Sequence, residues 1–256
     1  MPQPRKVQDR FFKQAKADGF VARSAYKLDE IQRRKKIIAK GDFVLDLGCA
    51  PGSWVQVAAS LVGDRGFVLG LDLKPVTIPN LPNARTLVQD VFTATAPALL
   101  EQAGLTDAAH SRGKNRFDVV LSDMAPNTEG GGGRIGDHFK SIELCRRVLE
   151  LLPAVLRPGG HLAMKVFEGE AYPDLLKETG AIFREAKGFK PESSRDVSRE
   201  MFIVALGYEP ALKSEPSGPP PGIAKAPPAP RPGWGQPGPG SGGGGGGGGA
   251  GGRGGR

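Results

Sequence analysis

Five charged side chains each close a short apolar run: Asp46 in FVLD, Asp72 in VLGLD, Asp90 in TLVQD, Asp123 in DVVLSD and Lys165 in HLAMK. Strands buried on both faces of a parallel sheet read as such near-continuous apolar runs. The pattern therefore sets four carboxylates and one amine at the carboxyl ends of strands, where open α/β sheets bind their ligands. Strand termination accounts for one or two charges of this kind. Five in succession point to a site.

The turn after the first run, G-C-A-P-G-S at 48–53, sharpens that reading. Gly48 and Gly52 let a ligand approach the backbone where a side chain would block it. A helix opening near Ser53 leaves its first N–H groups free to donate. The dinucleotide fingerprint G-x-G-x-x-G is not met, because the glycine spacing is wrong and Pro51 stiffens the loop. Asp72, at the end of the second strand, remains suited to gripping a ribose diol with its two oxygens. A ribose clamp without a phosphate cradle favours a nucleoside cofactor that lacks phosphates, S-adenosylmethionine foremost. Asp90, one strand on, could accept from the adenine amino group or serve as a turn acceptor. Trp54 at the helix start suits adenosine contact and core packing equally.

The elements that must carry these groups alternate regularly. Strands are expected at 43–47, 67–71, 86–89, 117–122 and 161–166, with helices at 53–62, 96–103, 137–156 and 172–179 between them. Thr106–Asn115 reads as a surface loop. A final pair of strands, 182–188 and 200–206, has no intervening helix and predicts an antiparallel edge hairpin. The fold class is α/β, a doubly wound and mostly parallel Rossmann-like sheet. Ahead of it, Ser24–Lys36 reads as a helix with Tyr26, Leu28 and Ile31 buried. Arg23, Lys27, Glu30 and Arg34 share one stripe of it. With Ser24 as cap, Lys27 falls in the first turn, where the helix dipole disfavours a cation. A local rule broken at some cost tends to mark function, although an ordinary surface lysine is the plainer reading.

Composition bounds the rest. Much of the excess in 38 glycines and 23 prolines falls after Glu209, with Gly242–Gly249 unbroken, so Pro210–Arg256 is expected to be a disordered tail. The expected organisation is a basic arm over 1–22, one catalytic domain over 23–209 and the tail over 210–256. Net charge is +8, and residues 1–40 alone hold twelve Lys/Arg against four Asp/Glu. A basic arm beside a slightly acidic body suggests a polyanion, most simply nucleic acid. Cys49 and Cys145 are too few for a disulfide framework, and His110, His138 and His161 lack metal-ligand spacing. No metal is expected, no apolar run is long enough to span a membrane, no signal-peptide core is present, and the chain reads as cytoplasmic.

The segments LDLGCAPGSW, SDMAPN, MKVFEGE and SREMFIVALG, with RSAYKLDEI near the start, resemble the FtsJ-type 2′-O-ribose methyltransferases. The resemblance runs from about Arg10 to Tyr208. It implies S-adenosylmethionine as donor and a uridine ribose in large-subunit ribosomal RNA as acceptor; the chain is expected to be a monomer and its RNA partner to lie within the large subunit, free RNA being the alternative. The family's Lys-Asp-Lys-Glu tetrad falls on Lys27, Asp123, Lys165 and Glu200, and its cofactor contacts on Gly52, Trp54, Asp72, Asp90 and Asp123. Three features depart from the family: an apparent insertion at Thr106–Asn115, a glycine-rich loop at Thr128–Gly136, and the tail.

The chemistry can be argued without the resemblance. Methylating a ribose hydroxyl needs a base for its proton as the oxygen attacks the methyl. An amine serves only in its neutral form, which burial and a neighbouring cation favour and nearby carboxylates oppose. Lys165 is the expected base, Asp123 and Glu200 orient it, and Lys27 holds substrate or tunes the amine. Taken alone, Glu200 would read as a strand-edge partner of Arg195 or Arg199. Two other readings compete: a base-amino methyltransferase, whose usual [DN]-P-P-[YF] is replaced here by Asp123-Met124-Ala125-Pro126, and an RNA-binding assembly factor whose methylation is incidental.

Overall fold

A computed structural model describes residues 14–15, 17–78, 81–126, 133–193 and 199–209. The first thirteen residues of the arm, part of the glycine-rich loop and the tail lie outside them. The chain divides into two units, Met1–Glu215 and Pro216–Arg256.

Seven strands form one sheet in the order β3-β2-β1-β4-β5-β7-β6. They are β1 (Phe43–Leu47), β2 (Phe67–Asp72), β3 (Ala84–Val88), β4 (Phe117–Ser122), β5 (Leu156–Phe167), β6 (Phe183–Phe189) and β7 (Glu200–Tyr208). Pairing is parallel from β3 across to β5, while β7 runs antiparallel to both β5 and β6. The expected doubly wound sheet with its antiparallel edge hairpin is what forms. Strand order reverses between β1 and β4, which opens a crevice at their carboxyl ends.

Alternation along the strands feeds two cores. Phe43, Leu45 and Leu47 pack on one side with Leu69 and Leu71; Val44 and Val68 pack on the other. The first layer is closed by α3 (Ala96–Gln102), α5 (Gly133–Val155) and α6 (Tyr172–Gly180), the second by α1 (Ala25–Lys35) and α2 (Ser53–Val62). Along α1 the buried positions are Ala25, Lys27, Leu28, Glu30 and Ile31. Tyr26, expected inside, is half-buried, because its hydroxyl reaches out to donate to Asp18 Oδ2 at 2.6 Å. Ser24 does precede the helix but makes no side-chain cap; its hydroxyl pairs with that of Ser53 at 2.6 Å instead.

Two further expectations change. Thr106–Asn115 is not all loop: Asp107 caps a single turn, α4 (Ala108–Ser111), by accepting from Ala109 N–H at 2.9 Å. β5 starts at Leu156 rather than 161, because Leu156 pairs with Phe117 before Arg157–Gly160 bulge out and pairing resumes at His161.

The bulge is held by an ion cluster at the end of the sheet opposite the crevice. Asp118, 2% exposed, accepts from Phe43 N–H at 2.8 Å, Lys114 Nζ at 2.6 Å and Arg157 Nε at 2.6 Å. Truncation leaves a buried N–H without an acceptor, while both cations can turn to water. Asp118→Ala should therefore cost about 1–3 kcal/mol in urea unfolding; a stability within 0.5 kcal/mol of the parent, roughly that of an inert surface change, would refute this role.

Candidate active site

The crevice gathers the charges that close the apolar runs. After β1, Gly48 turns at φ +79° and its N–H donates to Leu71 O at 2.7 Å. A Cβ there would lie 2.8 Å from Met124 Cα, so glycine is required for the turn to pass under the SDMAPN segment. Gly52, at φ +110°, precedes α2 and leaves that helix's first N–H groups open to the crevice. Between them the Ala50–Pro51 bond is cis.

Asp72 ends β2 and ties this loop down: Oδ2 accepts from Ala50 N–H and Oδ1 from Lys74 N–H, both at 2.9 Å. Each oxygen keeps a second lone pair for a ligand. Asp90 lies two residues past β3 and accepts from Phe92 N–H at 2.9 Å, making the turn that was the plainer of its two readings.

Asp46 departs from the expected pattern. It is the penultimate residue of β1, as expected, but is 0% exposed instead of facing the crevice. Neither of its oxygens has a partner among the described residues. Burial, followed by the charges of Asp123 and Asp72, pushes its carboxyl up to about 8. The same burial raises the neighbouring Cys49 thiol well above its ordinary range.

Beyond the switch point stand two ion pairs. Lys165 Nζ donates to the Asp123 carbonyl at 2.6 Å and lies 3.0 Å from its Oδ1, an ion contact whose angles do not make a hydrogen bond. Lys27 Nζ donates to Glu200 Oε2 at 2.6 Å. Antiparallel pairing sets Glu200 opposite Phe167 and Phe202 opposite Lys165, so the start of β7 meets the same edge as the end of β5. Both lysine side chains are over 90% buried. The structure thus brings Lys27, Asp123, Lys165 and Glu200 to one edge as two pairs.

Phe202, which the sequence reading left unassigned, is their common neighbour. Lys27 Nζ sits 5.7 Å from its ring centroid, a cation–π contact. Trp54 stacks on it at 5.6 Å. The strand period carried the signal, since Phe202 lies two residues from Glu200 and so shares its face. Trp54 itself is 2% exposed, and its Nε1 donates to Ser24 O at 2.8 Å. Its ring is a core element that joins α1 to β7, not a surface for adenosine.

The sequence profile of the FtsJ-like methyltransferase family matches residues 20–208. The chain belongs to the FtsJ-like methyltransferase family. It is a methyltransferase, and S-adenosylmethionine is its methyl donor. Two proteins named Ribosomal RNA large subunit methyltransferase E are similar to it. That of Desulfatibacillum aliphaticivorans is 45% identical over 77% of this chain and 89% of its own length; that of Desulfotalea psychrophila is 40% identical over 80% and 97%. The crystal structure of a Plasmodium falciparum protein classed as a ribosomal RNA methyltransferase superposes with a TM-score of 0.62 at 25% identity, covering 74% of this chain and 98% of that one. Among the described residues of the methyltransferase, no helix is long and apolar enough to cross a membrane.

Proposed function

We propose that this methyltransferase acts on the 2′-hydroxyl of a uridine ribose in large-subunit ribosomal RNA, with Lys165 as the base that takes the hydroxyl proton. The observation that carries the assignment is the pairing of two buried lysines with two carboxylates at the edge beside the cofactor loop. The names of the relatives support ribosomal RNA as the acceptor. The basic N-terminal residues supply a sequence-independent attraction for its phosphates. On this reading the enzyme works in the cytoplasm as a monomer, without a metal, on RNA within the large subunit.

S-adenosylmethionine, when bound, supplies an electrophilic methyl group on a sulfonium. The residues present fit it. Gly48 and Gly52 give the loop its left-handed turns, although the space over them is taken by Met124 and by Val76 and Ile78 rather than left for a ligand as the sequence suggested. Asp72 has acceptors for a ribose diol, Asp90 for an adenine amino group, and Asp123 closes the site toward Lys165. The contact assigned to Trp54 falls to its backbone N–H in the first turn of α2. On the acceptor side, Asp123 fixes the Lys165 amine through two atoms, so the amine is aimed before substrate arrives. Positioning of this kind supplies much of the rate when the leaving group is already good. Glu200 holds Lys27 at this edge, where its remaining N–H groups can donate to a phosphate or to the hydroxyl oxygen as it loses its proton.

The test is methyl transfer to large ribosomal subunits from a strain lacking the enzyme, with 2′-O-methyl groups mapped in the product. Methylation should vanish when the target ribose is replaced by deoxyribose, since only RNA carries the 2′-hydroxyl. Methyl found on a base would refute the proposal. For the cofactor side, Asp72→Ala should weaken S-adenosylmethionine binding on the order of tenfold or more, the loss of a charged hydrogen bond contributing roughly 1.5–3 kcal/mol. Unchanged calorimetric affinity would remove Asp72 from the cofactor site.

A further inference from the structure

Helix α5 turns an apolar stripe that includes Ile142, Val148 and Leu152 toward the sheet, and three polar residues interrupt it. His138, Ser141 and Cys145 are spaced i, i+3, i+7 and so share that face. They are 3%, 2% and 2% exposed. Each bonds to the backbone at the end of β5. Cys145 Sγ donates to Lys165 O at 3.1 Å, and Ser141 Oγ accepts from Phe167 N–H at 3.0 Å. His138 Nε2 accepts from Ala171 N–H at 3.1 Å, which leaves its Nδ1–H to donate to Phe167 O at 2.7 Å. The chain passes so close above this ring that a Cβ on Gly169 would lie 2.5 Å from it.

The amine of Lys165 is on the other side of the sheet. Met164 and Val166 pack in the core that α5 closes, whereas Ala163 and Phe202, which share the face of Lys165, pack in the core that α1 and α2 close. Helix α5 therefore grips the backbone from behind while the side chain reaches the crevice. Buried polar groups cost more than apolar ones of the same shape unless their bonds are used. Here every one of the three is spent on the carbonyl of the base residue or on the few residues that follow it.

We infer that His138, Ser141 and Cys145 are positioning residues that set the Lys165 amine against Asp123 by clamping the end of β5. The inference rests on the reading of Lys165 as the base. It predicts that the three matter only when that amine is present. Ser141→Ala, Cys145→Ala and His138→Ala are made in the parent and in the Lys165→Ala enzyme, and single-turnover transfer to large subunits is measured at saturating RNA.

In the parent each variant should slow transfer roughly 10- to 100-fold, the scale of a displacement near 1 Å at a reacting group. In the Lys165→Ala enzyme the same changes should alter the rate by less than about twofold, since coupled residues are not additive. KM for RNA and cofactor affinity should hold. His138→Asn, whose amide nitrogen stands where Nδ1 does, should recover much of the rate. Equal losses in both backgrounds, a loss confined to KM, or no loss in the parent would each overturn the clamp. A Lys165→Ala enzyme of near-parent rate would instead refute the base itself. Should His138→Ala not fold, the two smaller truncations carry the test.

Discussion

Replacing Lys165 with alanine should slow methyl transfer by roughly 10²–10⁴-fold, the usual worth of a general base. Cofactor affinity should be unchanged, because Asp72, Asp90 and the Gly48–Gly52 loop keep their bonds. Lys165→Arg separates two roles for the cation. A guanidinium stays protonated in a protein, so arginine cannot take a proton however well it pairs with Asp123. Single-turnover rates for both variants, with calorimetry alongside, make the comparison. If arginine kept a near-parent rate, the residue would be a cationic anchor and the base would lie elsewhere.

The second large effect is on stability. Asp46 has no partner among the described residues, and its carboxyl is raised from 3.8 to about 8. Above pH 4 the unfolded chain has lost this proton while the folded chain keeps it. Folding thus takes up a proton between about pH 4 and pH 8, and stability falls as pH rises through that window. The contribution is complete below the unfolded value and lost on approach to the folded one. Asp46→Asn is nearly isosteric and cannot titrate. Its stability without cofactor should match the parent near pH 4 and exceed it at pH 8 by on the order of a few kcal/mol. The other titrating groups are common to both proteins and cancel in the difference. Urea titrations of the pair at several pH values give the answer, and a gap that stays constant with pH would show that Asp46 is ionised in the fold.

Most of the sheet was legible because each buried strand is an unbroken apolar run of about the right length. Register was legible only in part. The bounds of β1 were as read, but Asp46, taken as one more charge facing the crevice, is buried in the core. Nothing in FVLDL distinguishes those two fates, since depth depends on what covers the strand. The gathering of Asp72, Asp123 and Lys165 at the crevice was legible through charge placement, but setting Glu200 among them needed the family likeness, because an acidic residue opening an edge strand is common. Trp54 shows the converse: its place beside the cofactor loop is correct, yet its ring turns inward to Ser24 and Phe202. His138, Ser141 and Cys145 were visible only as polar interruptions of the buried face of α5, a pattern that gains meaning once the backbone they hold is known.

The ion pair between Lys27 and Glu200 joins residues 173 apart in the chain. Closing so long a loop carries a conformational cost, and β7 must also slot between β5 and β6 before Glu200 has its place. A chain made from its N-terminus therefore has every residue of the Gly48–Gly52 loop in hand long before the residues of this edge can pair. In refolding, the ability to bind the methyl donor should return ahead of turnover, and intermediates would hold the donor without spending it.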